Sequence, residues 1–441
     1  MSAAEVGVVR HDIRTNFQHT ASDGFTTPVR TLVTTHHAGG QVAISAFVES
    51  SPVFTRSVGG SRIVRTGTVE GTATEAIKLA SGMSSKNPGA GIPASGQKTV
   101  ALWADMPSDA EGKARLLAEH YRVVLTAEPG AIFGPDMNVG EEVQDVLSGT
   151  DGLLDHVTGL STAAGGLAID STGYTGRALV GALSGWDGTA GLKTAAIQGF
   201  GAVGAWAAKA LLRHHPHVKL VALSNRYGTA FAAAGMPVEQ LFEVWSTSAS
   251  PDRAIKEFAI GHADLSWVED PDHLWTLPCD LLVPAARTGV VKLAEEETES
   301  ADAVAVQSWH AASGVKAVLQ GANAPCSAGA ETWLSEHGVV IFPDFIVNCG
   351  GVWGCWAEWY SRTELRAGTI AHEVLDEKVH NIIREKVAAN IQKVLAETNT
   401  RASAHRVKKA NQAPVAALWE SLASAENQYR RAEAHAEQLK L

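Results

Sequence analysis

The sequence KTAAIQGFGAVGAWAAKALLRHHPHVKLVALSNR, residues 193–226, decides the fold of this chain. It begins with a short run of β-branched and small apolar residues, which predicts a buried strand. A G-x-G-x-x-G pattern follows at Gly199, Gly201 and Gly204 and leads into a helical apolar pattern that ends before a proline. A second apolar run at 218–223 predicts another strand. Strand, glycine turn, helix and strand form one βαβ unit, which predicts a dinucleotide-binding site.

Each glycine of this pattern has its own physical purpose. The first allows a tight turn, the second lets the backbone approach a pyrophosphate, and the third lets the helix pack closely on the sheet. The N–H groups at the start of the helix, together with the positive end of its dipole, then face the phosphates. The residues predicted to line the phosphate side of the cofactor are Gly199, Gly201, Ala202, Val203 and Gly204.

The tip of the second strand indicates which dinucleotide is preferred. An NAD site usually carries Asp or Glu there, and the carboxylate accepts hydrogen bonds from the ribose hydroxyls. Here the tip is Ser224, Asn225 and Arg226, with no carboxylate to repel a 2′-phosphate and a guanidinium to pair with one. The tip therefore favours NADP over NAD. If Arg226 is instead a solvated loop residue, NAD binds as well.

Length and composition are those of a water-soluble globular protein. The chain has 441 residues, enough for two domains, with 45% hydrophobic and 19% charged residues. The formal net charge of −11 argues against nucleic acid or an anionic membrane as a partner. The sequence shows no membrane-spanning apolar run and no signal-peptide pattern. Four cysteines without paired spacing argue against a disulfide framework, so a cytoplasmic protein is expected.

Helical and strand patterns alternate along the chain, which predicts an α/β fold of two lobes around a parallel sheet. The expected helices include 73–83, 110–125 and 374–397, and the expected strands include 42–48, 99–103, 279–283, 317–319 and 339–342. The predicted domains are a first domain over 1–165, a dinucleotide-binding domain over 166–348, and a helical segment over 349–441 that packs back on the first domain. A loop is expected over 84–96, between the predicted helix 73–83 and the predicted strand 99–103.

A set of further motifs occurs in a fixed order. In the first half they are 58–62 (VGGSR), 83–87 (MSSKN), 93–100 (PASGQKTV) and 134–140 (GPDMNVG). In the second half they are 171–174 (STGY), 279–286 (CDLLVPAA), 320–325 (QGANAP) and 343–352 (PDFIVNCGGV). Together they resemble the glutamate/leucine/phenylalanine/valine dehydrogenases over about residues 40–400. The resemblance implies NAD(P)-dependent oxidative deamination of an L-amino acid to a 2-oxo acid and ammonia, and the reverse reductive amination.

The resemblance also implies roles for individual residues, which would otherwise be unrelated surface charges. Lys86 holds the substrate's α-carboxylate. Lys98 is the general base that activates water on the imine, which requires a pKa lowered by burial or by a neighbouring cation. Asp136 exchanges protons with the amino nitrogen, for which burial and a raised pKa are expected. The residues assigned to the nicotinamide, its ribose or the adenosine ribose are Thr172, Ala285, Ala286, Asn323 and Asn348, the last also touching substrate.

Two positions bear on substrate choice. Members that act on glutamate have a lysine before the glycine pair and a serine near the end of the Gly-Gly-Val segment, where this chain has Val58 and Cys355. Burying an acidic side chain there without a partner is costly. A hydrophobic or aromatic L-amino acid is therefore expected, in a pocket that includes Val58, Gly59, Gly60 and Cys355. The alternatives are a glutamate dehydrogenase with a rearranged pocket served by Arg62, and a non-catalytic NADP-binding regulatory subunit.

The resemblance implies a closed homo-oligomer, a hexamer or octamer. Histidine-rich segments at 36–37 and 214–217 have no Cys or carboxylate partner at metal-binding spacing. They are expected to be solvated turns, and no metal site is expected.

Overall fold

Two sheets form the centres of two separate units, and the chain passes from one unit to the other after Leu160. The computed structural model describes residues 7–20, 26–169, 171–296, 303–367, 371–397 and 404. No helix within these ranges is both long enough and apolar enough to span a membrane.

The first unit contains a six-stranded sheet with helices against its faces. Its elements are β1 (Val8–Thr20), β2 (Thr26–His37), β3 (Val42–Val48), β4 (Ser57–Val64), α1 (Val69–Gly89), β5 (Ser95–Leu102), α2 (Ala110–Ala127), β6 (Ala131–Gly134) and α3 (Glu141–Ser148). The strand order is β1-β2-β3-β5-β4-β6. Strands β1, β2, β3 and β5 pair antiparallel, whereas β4 runs parallel to both β5 and β6.

Local sequence signals fix the two main helices of the first unit. The Thr68 hydroxyl accepts a hydrogen bond from Gly71 N at the start of α1, and the Asp109 carboxylate accepts one from Gly112 N at the start of α2. An apolar stripe of α1 that includes Ile77 packs against the sheet and forms one buried core with it. Strand β3 is buried along its whole length because it lies at the centre of this packing.

The second unit contains a seven-stranded sheet in the order β10-β9-β8-β7-β11-β14-β15. Its elements are α4 (Tyr174–Gly181), β7 (Thr194–Gln198), α5 (Ala202–His214), β8 (Lys219–Asn225), β9 (Gly228–Phe231), α6 (Val238–Thr247), α7 (Pro251–Gly261), β10 (Ser266–Val268), β11 (Leu281–Pro284), β12 (Val291–Lys292), β13 (Val304–Ala305), α8 (Val306–Ser313), β14 (Ala317–Leu319), α9 (Ala328–Glu336), β15 (Val340–Phe342), α10 (Asp344–Val347), α11 (Gly350–Tyr360), α12 (Arg362–Ala367) and α13 (His372–Leu395). The five strands from β8 to β15 are parallel, and β9 and β10 add an antiparallel edge. This arrangement confirms the predicted α/β class.

The structure corrects the expected loop over 84–96. Helix α1 continues to Gly89 and strand β5 already begins at Ser95, so the connection is only five residues long. The motif around Lys86 therefore lies in the last turn of a helix, and Lys98 lies within a strand.

The described C-terminal helices, which end at Leu395, belong to the second unit, and the packing of the segment 349–441 on the first domain stays a prediction. Helix α13 packs against α4 and the turn that follows it. Small residues explain this packing: a Cβ atom added at Gly181 would lie 2.9 Å from the Arg384 side chain, and one at Gly185 would lie 2.3 Å from the Ala388 carbonyl oxygen. Apart from residue 404, the part of the segment beyond residue 397 lies outside the described residues.

Several histidines predicted to be solvated are buried instead. His37 lies on β2, where its Nε2 is 2.9 Å from the Thr35 hydroxyl, and His215 is also buried. The Thr35 hydroxyl lies 2.8 Å from Nδ1 of His120, whose Nε2 is 2.8 Å from the Ser45 hydroxyl. Burial lowers the pKa of His120 to about 3, so this ring is neutral.

Across the described residues, no cluster of His, Cys, Asp or Glu is arranged to hold a metal ion.

Candidate active site

A lysine–aspartate ion pair lies on the sheet of the first unit, with Lys98 buried and Asp136 partly exposed. Lys98 projects from β5, and its ammonium Nζ forms an ion pair with Oδ2 of Asp136. Asp136 stands in the turn after β6, which is closed by reciprocal backbone hydrogen bonds of 3.1 and 2.9 Å with Val139. Asn138 adopts the left-handed conformation that this turn requires, with φ +63°, and its Nδ2 donates to the Ile63 carbonyl of β4 at 2.9 Å. The turn therefore holds Asp136 beside the sheet.

The glycine pair on β4 makes room for this ion pair. A Cβ atom added at Gly59 would lie 1.6 Å from the carbonyl oxygen of Gln97 on β5. A Cβ atom added at Gly60 would lie 3.1 Å from Lys98 Nζ and 3.2 Å from Asp136 Cβ. Side chains are excluded at both positions, and this steric need gives the motif a physical meaning.

Arg62 has a function that the sequence analysis missed. Its guanidinium contacts Oδ2 of Asp136 through Nε at 2.9 Å and Nη2 at 2.8 Å. Its Nη1 lies 2.8 Å from Oε1 of Glu75 on α1. Residues 58, 60 and 62 share one face of β4, because side chains in a strand point to opposite faces in turn. This period of two is the sequence signal from which a position of Arg62 near Lys98 could have been predicted. Arg62 is committed to two carboxylates rather than available for a substrate side chain.

These charges set the pKa values of the pair. Burial lowers the pKa of Lys98, and the Arg62 cation lowers it further against the opposing effect of Asp136. Burial acts to raise the pKa of Asp136, but Lys98 and Arg62 outweigh it and bring the pKa to about 2. The expectation of a lowered lysine pKa is met. The expected raised pKa of Asp136 is wrong, because the sequence did not reveal a second cation.

The end of α1 carries Lys86 and is anchored to the same sheet. Asn87, the next residue, donates from Nδ2 to the Val58 carbonyl of β4 at 3.1 Å and to the Ser95 carbonyl of β5 at 2.9 Å. Its side chain is buried. One amide therefore ties the last turn of the helix to β4, which carries the glycine pair, and to β5, which carries Lys98.

Lys86 and Lys98 lie on the same side of this sheet. A Cβ atom added at Gly96 would lie 2.3 Å from the backbone nitrogen of Ser84 on α1, so Gly96 faces the helix closely. Lys98 shares that face because it is two residues further along the strand. Lys86 is two residues beyond Ser84 in the last turn of α1. The predicted carboxylate-binding and basic lysines thus belong to one face of one unit.

The glycine turn of the second unit is shaped to receive a phosphate group. Gly199 has φ +92°, and its N–H donates to the carbonyl of Ser224 at 3.0 Å, which joins the turn to the tip of β8. A Cβ atom on Gly199 would lie 2.6 Å from that of Ala286, and one on Gly204 would lie 2.0 Å from the Gly199 oxygen. A Cβ atom on Gly201 would meet no described atom within 4 Å. Gly201 therefore leaves open space at the N-terminus of α5, which fits a pyrophosphate.

Other predicted cofactor residues lie at the same carboxyl edge of the sheet. Ala285 follows β11, and its N–H donates to the Gln198 carbonyl of β7 at 2.7 Å. Asn348 follows α10 and donates from Nδ2 to Oδ1 of Asn323 at 3.0 Å. Its own Oδ1 is buried and has no hydrogen-bond partner among the described residues. A buried acceptor of this kind is costly unless a ligand donates to it, which suits an amide or a ribose hydroxyl.

The hydroxyl of Thr172, a residue assigned to the nicotinamide side, has a partner within its own loop. It donates to the Ala168 carbonyl at 2.9 Å. The donor that was assigned to the nicotinamide is thus already engaged, and only the lone pairs of this oxygen remain for a ligand.

A carboxylate lies beside the tip of β8. Arg226 Nε lies 2.5 Å from Oδ2 of Asp252, a residue of the first turn of α7. Asn225 donates from Nδ2 to the backbone carbonyl of Asp252 at 2.8 Å and accepts at Oδ1 from Tyr227 N at 2.9 Å. The expectation that no carboxylate stands near Arg226 is wrong, because a helix 26 positions further along the chain supplies one.

The two residues assigned to the substrate side chain are both buried. Val58 lies on β4 in the first unit, on the face of Gly60 and Arg62, and is 3% exposed. Cys355 lies on α11 in the second unit. Neither carries a charge that could pair with an acidic substrate side chain.

Fold and site together define an α/β protein with a Rossmann-type sheet and glycine turn in one unit and a Lys98–Asp136 ion pair in the other. The family model for glutamate/leucine/phenylalanine/valine dehydrogenases matches residues 165–425, and the chain belongs to this family. The NADP(+)-dependent glutamate dehydrogenase of Pyrobaculum calidifontis is 34% identical over 178 residues, which are 40% of this chain and 36% of that protein. The chain spans half or less of the length of the curated relatives it matches.

Solved structures show the same fold over nearly the whole chain. The glutamate dehydrogenase of Plasmodium falciparum superposes with a TM-score of 0.66 at 18% identity, covering 95% of this chain and 84% of that one. The hetero-hexameric glutamate dehydrogenase of Thermus thermophilus gives a TM-score of 0.63 at 20% identity, covering 93% and 88%. At such low identity the likeness concerns the fold.

Proposed function

We propose that the chain is an NAD(P)-dependent L-amino acid dehydrogenase, which oxidises its substrate to a 2-oxo acid and ammonia and also runs in reverse. The observation that carries the proposal is the buried Lys98, paired with Asp136 and flanked by Arg62, in a chain that also has an open glycine turn at Gly201. A structural ion pair alone needs neither the excluded side chains at Gly59 and Gly60 nor an open glycine turn at Gly201 in the same chain.

The chemistry is divided between the two units. The nicotinamide, when bound, accepts the hydride that leaves Cα of the substrate. Lys86 is proposed to hold the substrate's α-carboxylate by charge. Gly199, Gly201 and Gly204 are proposed to receive the pyrophosphate, and the free Oδ1 of Asn348 to accept from an amide or a ribose hydroxyl.

Lys98 and Asp136 take different roles toward the proton. Lysine is an effective base near neutral pH only when its pKa is lowered, as burial and Arg62 do for Lys98. It is proposed to take a proton from the water that attacks the imine and to return one to the leaving ammonia. Asp136 is ionised throughout the neutral range, because its pKa is about 2. We infer that it holds the substrate ammonium by charge, and that proton transfer is the task of Lys98.

The substrate is proposed to be an L-amino acid with a hydrophobic or aromatic side chain. Val58 is apolar and faces the same side of β4 as Gly60. Arg62 already pairs with Asp136 and Glu75, so its use for a side-chain carboxylate would break two ion pairs. Glutamate is the second candidate, since relatives are named as glutamate dehydrogenases.

The coenzyme is proposed to be NADP, with NAD as a second choice. The Pyrobaculum calidifontis relative is named as NADP(+)-dependent, and Arg226 offers a guanidinium at the strand tip. The assembly is proposed to be a closed homo-oligomer, as the family resemblance implies, and the Thermus thermophilus protein, described as hetero-hexameric, supports only the coarser proposal of an oligomer.

A substrate panel tests this function. Purified protein is mixed with each of the standard L-amino acids, or with each 2-oxo acid and ammonia, and reduced nicotinamide is followed by absorbance with NADP(H) and NAD(H) in parallel. Turnover of leucine, valine, phenylalanine or a similar substrate is expected. Turnover of glutamate alone would overturn the apolar preference. Binding of coenzyme without turnover of any substrate would favour a regulatory NADP-binding subunit.

A further inference from the structure

The pair formed by Arg226 and Asp252 has an unusual position for a surface ion pair. Arg226 follows the last residue of β8, and the strand tip is joined to the glycine turn because Gly199 N donates to Ser224 O at 3.0 Å. In dinucleotide-binding sheets the adenosine ribose lies at this tip. The carboxylate of Asp252 therefore stands where a strand-end acid would, although it comes from α7.

Asn225 helps to fix the backbone of Asp252. It occupies the strand tip, but its side chain is occupied by the Asp252 carbonyl and the Tyr227 N–H. The first of these bonds fastens the start of α7 to the end of β8. The Asp252 side chain is 21% exposed, whereas that of Arg226 is 75% exposed. The backbone that carries the acid is anchored, and the arginine is the more exposed of the two side chains.

We propose that Asp252 and Arg226 form a two-way coenzyme selector, an inference that rests on the proposed dinucleotide binding. With NAD(H), Asp252 accepts a hydrogen bond from the 2′-hydroxyl of the adenosine ribose. With NADP(H), Arg226 leaves Asp252 and pairs with the 2′-phosphate, which the Asp252 carboxylate repels. One residue thus favours NAD(H) and the other NADP(H), and the chain binds both.

The exposure of the pair makes this exchange inexpensive. Exposed ion pairs are weak, so separating Arg226 from Asp252 changes an equilibrium constant by no more than about fivefold. A guanidinium binds a phosphate dianion through paired hydrogen bonds, which are stronger than its single contact with a carboxylate through Nε. The 2′-phosphate can therefore compete with Asp252 for Arg226.

Direct binding of reduced coenzymes to Asp252→Asn tests the selector. Dissociation constants for NADPH and NADH are measured by fluorescence titration, without substrate. NADH is expected to bind roughly tenfold more weakly, because a hydrogen bond to a charged acceptor is lost. NADPH is expected to bind about fivefold more tightly, because a negative charge near the phosphate is removed. The opposite signs of the two changes are the signature of the selector.

Further variants keep the result interpretable. Asp252→Glu retains the charge and should lie between the wild type and Asp252→Asn for both coenzymes. Asp264→Asn changes another exposed acid beyond α7 and should alter neither affinity. A thermal unfolding midpoint equal to that of the wild type checks that each variant is folded.

The outcomes separate this inference from the proposed function. If the wild type binds NADPH and NADH but Asp252→Asn shifts both in the same direction, or shifts neither, the selector is wrong and the proposed function stands. If the folded wild type binds neither coenzyme, the dinucleotide site and the selector fall together.

Discussion

Replacing Gly60 by alanine tests whether the site is as tightly built as the structure indicates. The new Cβ atom would lie 2.6 Å from the Pro135 carbonyl oxygen, 3.1 Å from Lys98 Nζ and 3.2 Å from Asp136 Cβ. Relief of the closest contact to an ordinary separation near 3.5 Å requires a movement of about 0.9 Å. The backbone of the turn that holds Asp136 must move, because a carbonyl oxygen has no rotamer to change.

The expected effect on activity is much larger than that on stability. A displacement of about 1 Å at reacting groups can cost about 100-fold in rate, whereas overpacking costs about 1–3 kcal/mol of unfolding free energy. We therefore expect kcat/KM of Gly60→Ala to fall about 100-fold and the protein to remain folded. The assay is the initial rate at the reduced-nicotinamide absorbance, with unfolding followed by circular dichroism.

A matched substitution controls for the added methyl group. Gly82 lies on α1, and a Cβ atom there would meet no described atom within 4 Å, so Gly82→Ala should leave kcat/KM unchanged. NADPH binding by Gly60→Ala should also stay near the wild-type value, because the glycine turn lies in the other unit. Near-normal kcat/KM in a folded Gly60→Ala protein would refute the steric account of the glycine pair.

Three further predictions address the other parts of the account. Gly201→Ala should keep the wild-type unfolding midpoint but bind NADPH 10-fold or more weakly, which is roughly the loss of one charge-assisted hydrogen bond. An unchanged NADPH dissociation constant in a titration would show that Gly201 does not line the phosphate site. Arg62→Leu removes a cation that lowers the pKa of Lys98, so the acidic limb of a kcat/KM–pH profile should move to higher pH, and a shift to lower pH would contradict this sign. His120 has a folded pKa of about 3, below its ordinary 6.5, so its contribution to stability is present above about pH 6.5 and is lost as the pH falls toward 3. The wild type should therefore lose more unfolding free energy between pH 7 and pH 5 than His120→Gln does. Equal losses in the two proteins would exclude His120 as a source of this pH dependence.

Features that depend on neighbours in sequence were predictable. The glycine turn, the helix after it and the strand beyond it follow from one uninterrupted stretch, because each glycine acts on residues a few positions away. Gly199 and Gly204 indeed exclude side chains through contacts with Ala286 and with the turn itself. The motifs also placed Lys98 and Asp136 in one site, although periodicity alone did not.

Features that depend on distant charges were not predictable. Asp136 lies 74 positions from Arg62, and only the pairing of β4 with β6 brings the two together, so the sign of its pKa shift was missed. Arg226 and Asp252 are 26 positions apart, and the sequence of α7 shows no pattern that would link its acid to the tip of β8. The packing of α13 on α4 depends on Gly181 and Gly185, which as sequence indicate only a small-residue crossing.

The most direct test of the account is the turnover of Lys98→Met, measured beside its affinity for NADPH. Methionine fills the buried position without a base, and Arg62 still neutralises Asp136. The account predicts turnover reduced to a trace, with an NADPH dissociation constant equal to that of the wild type and a normal unfolding midpoint. Turnover near the wild-type rate in this variant would contradict the assignment of Lys98 as the base, and with it the proposed reaction.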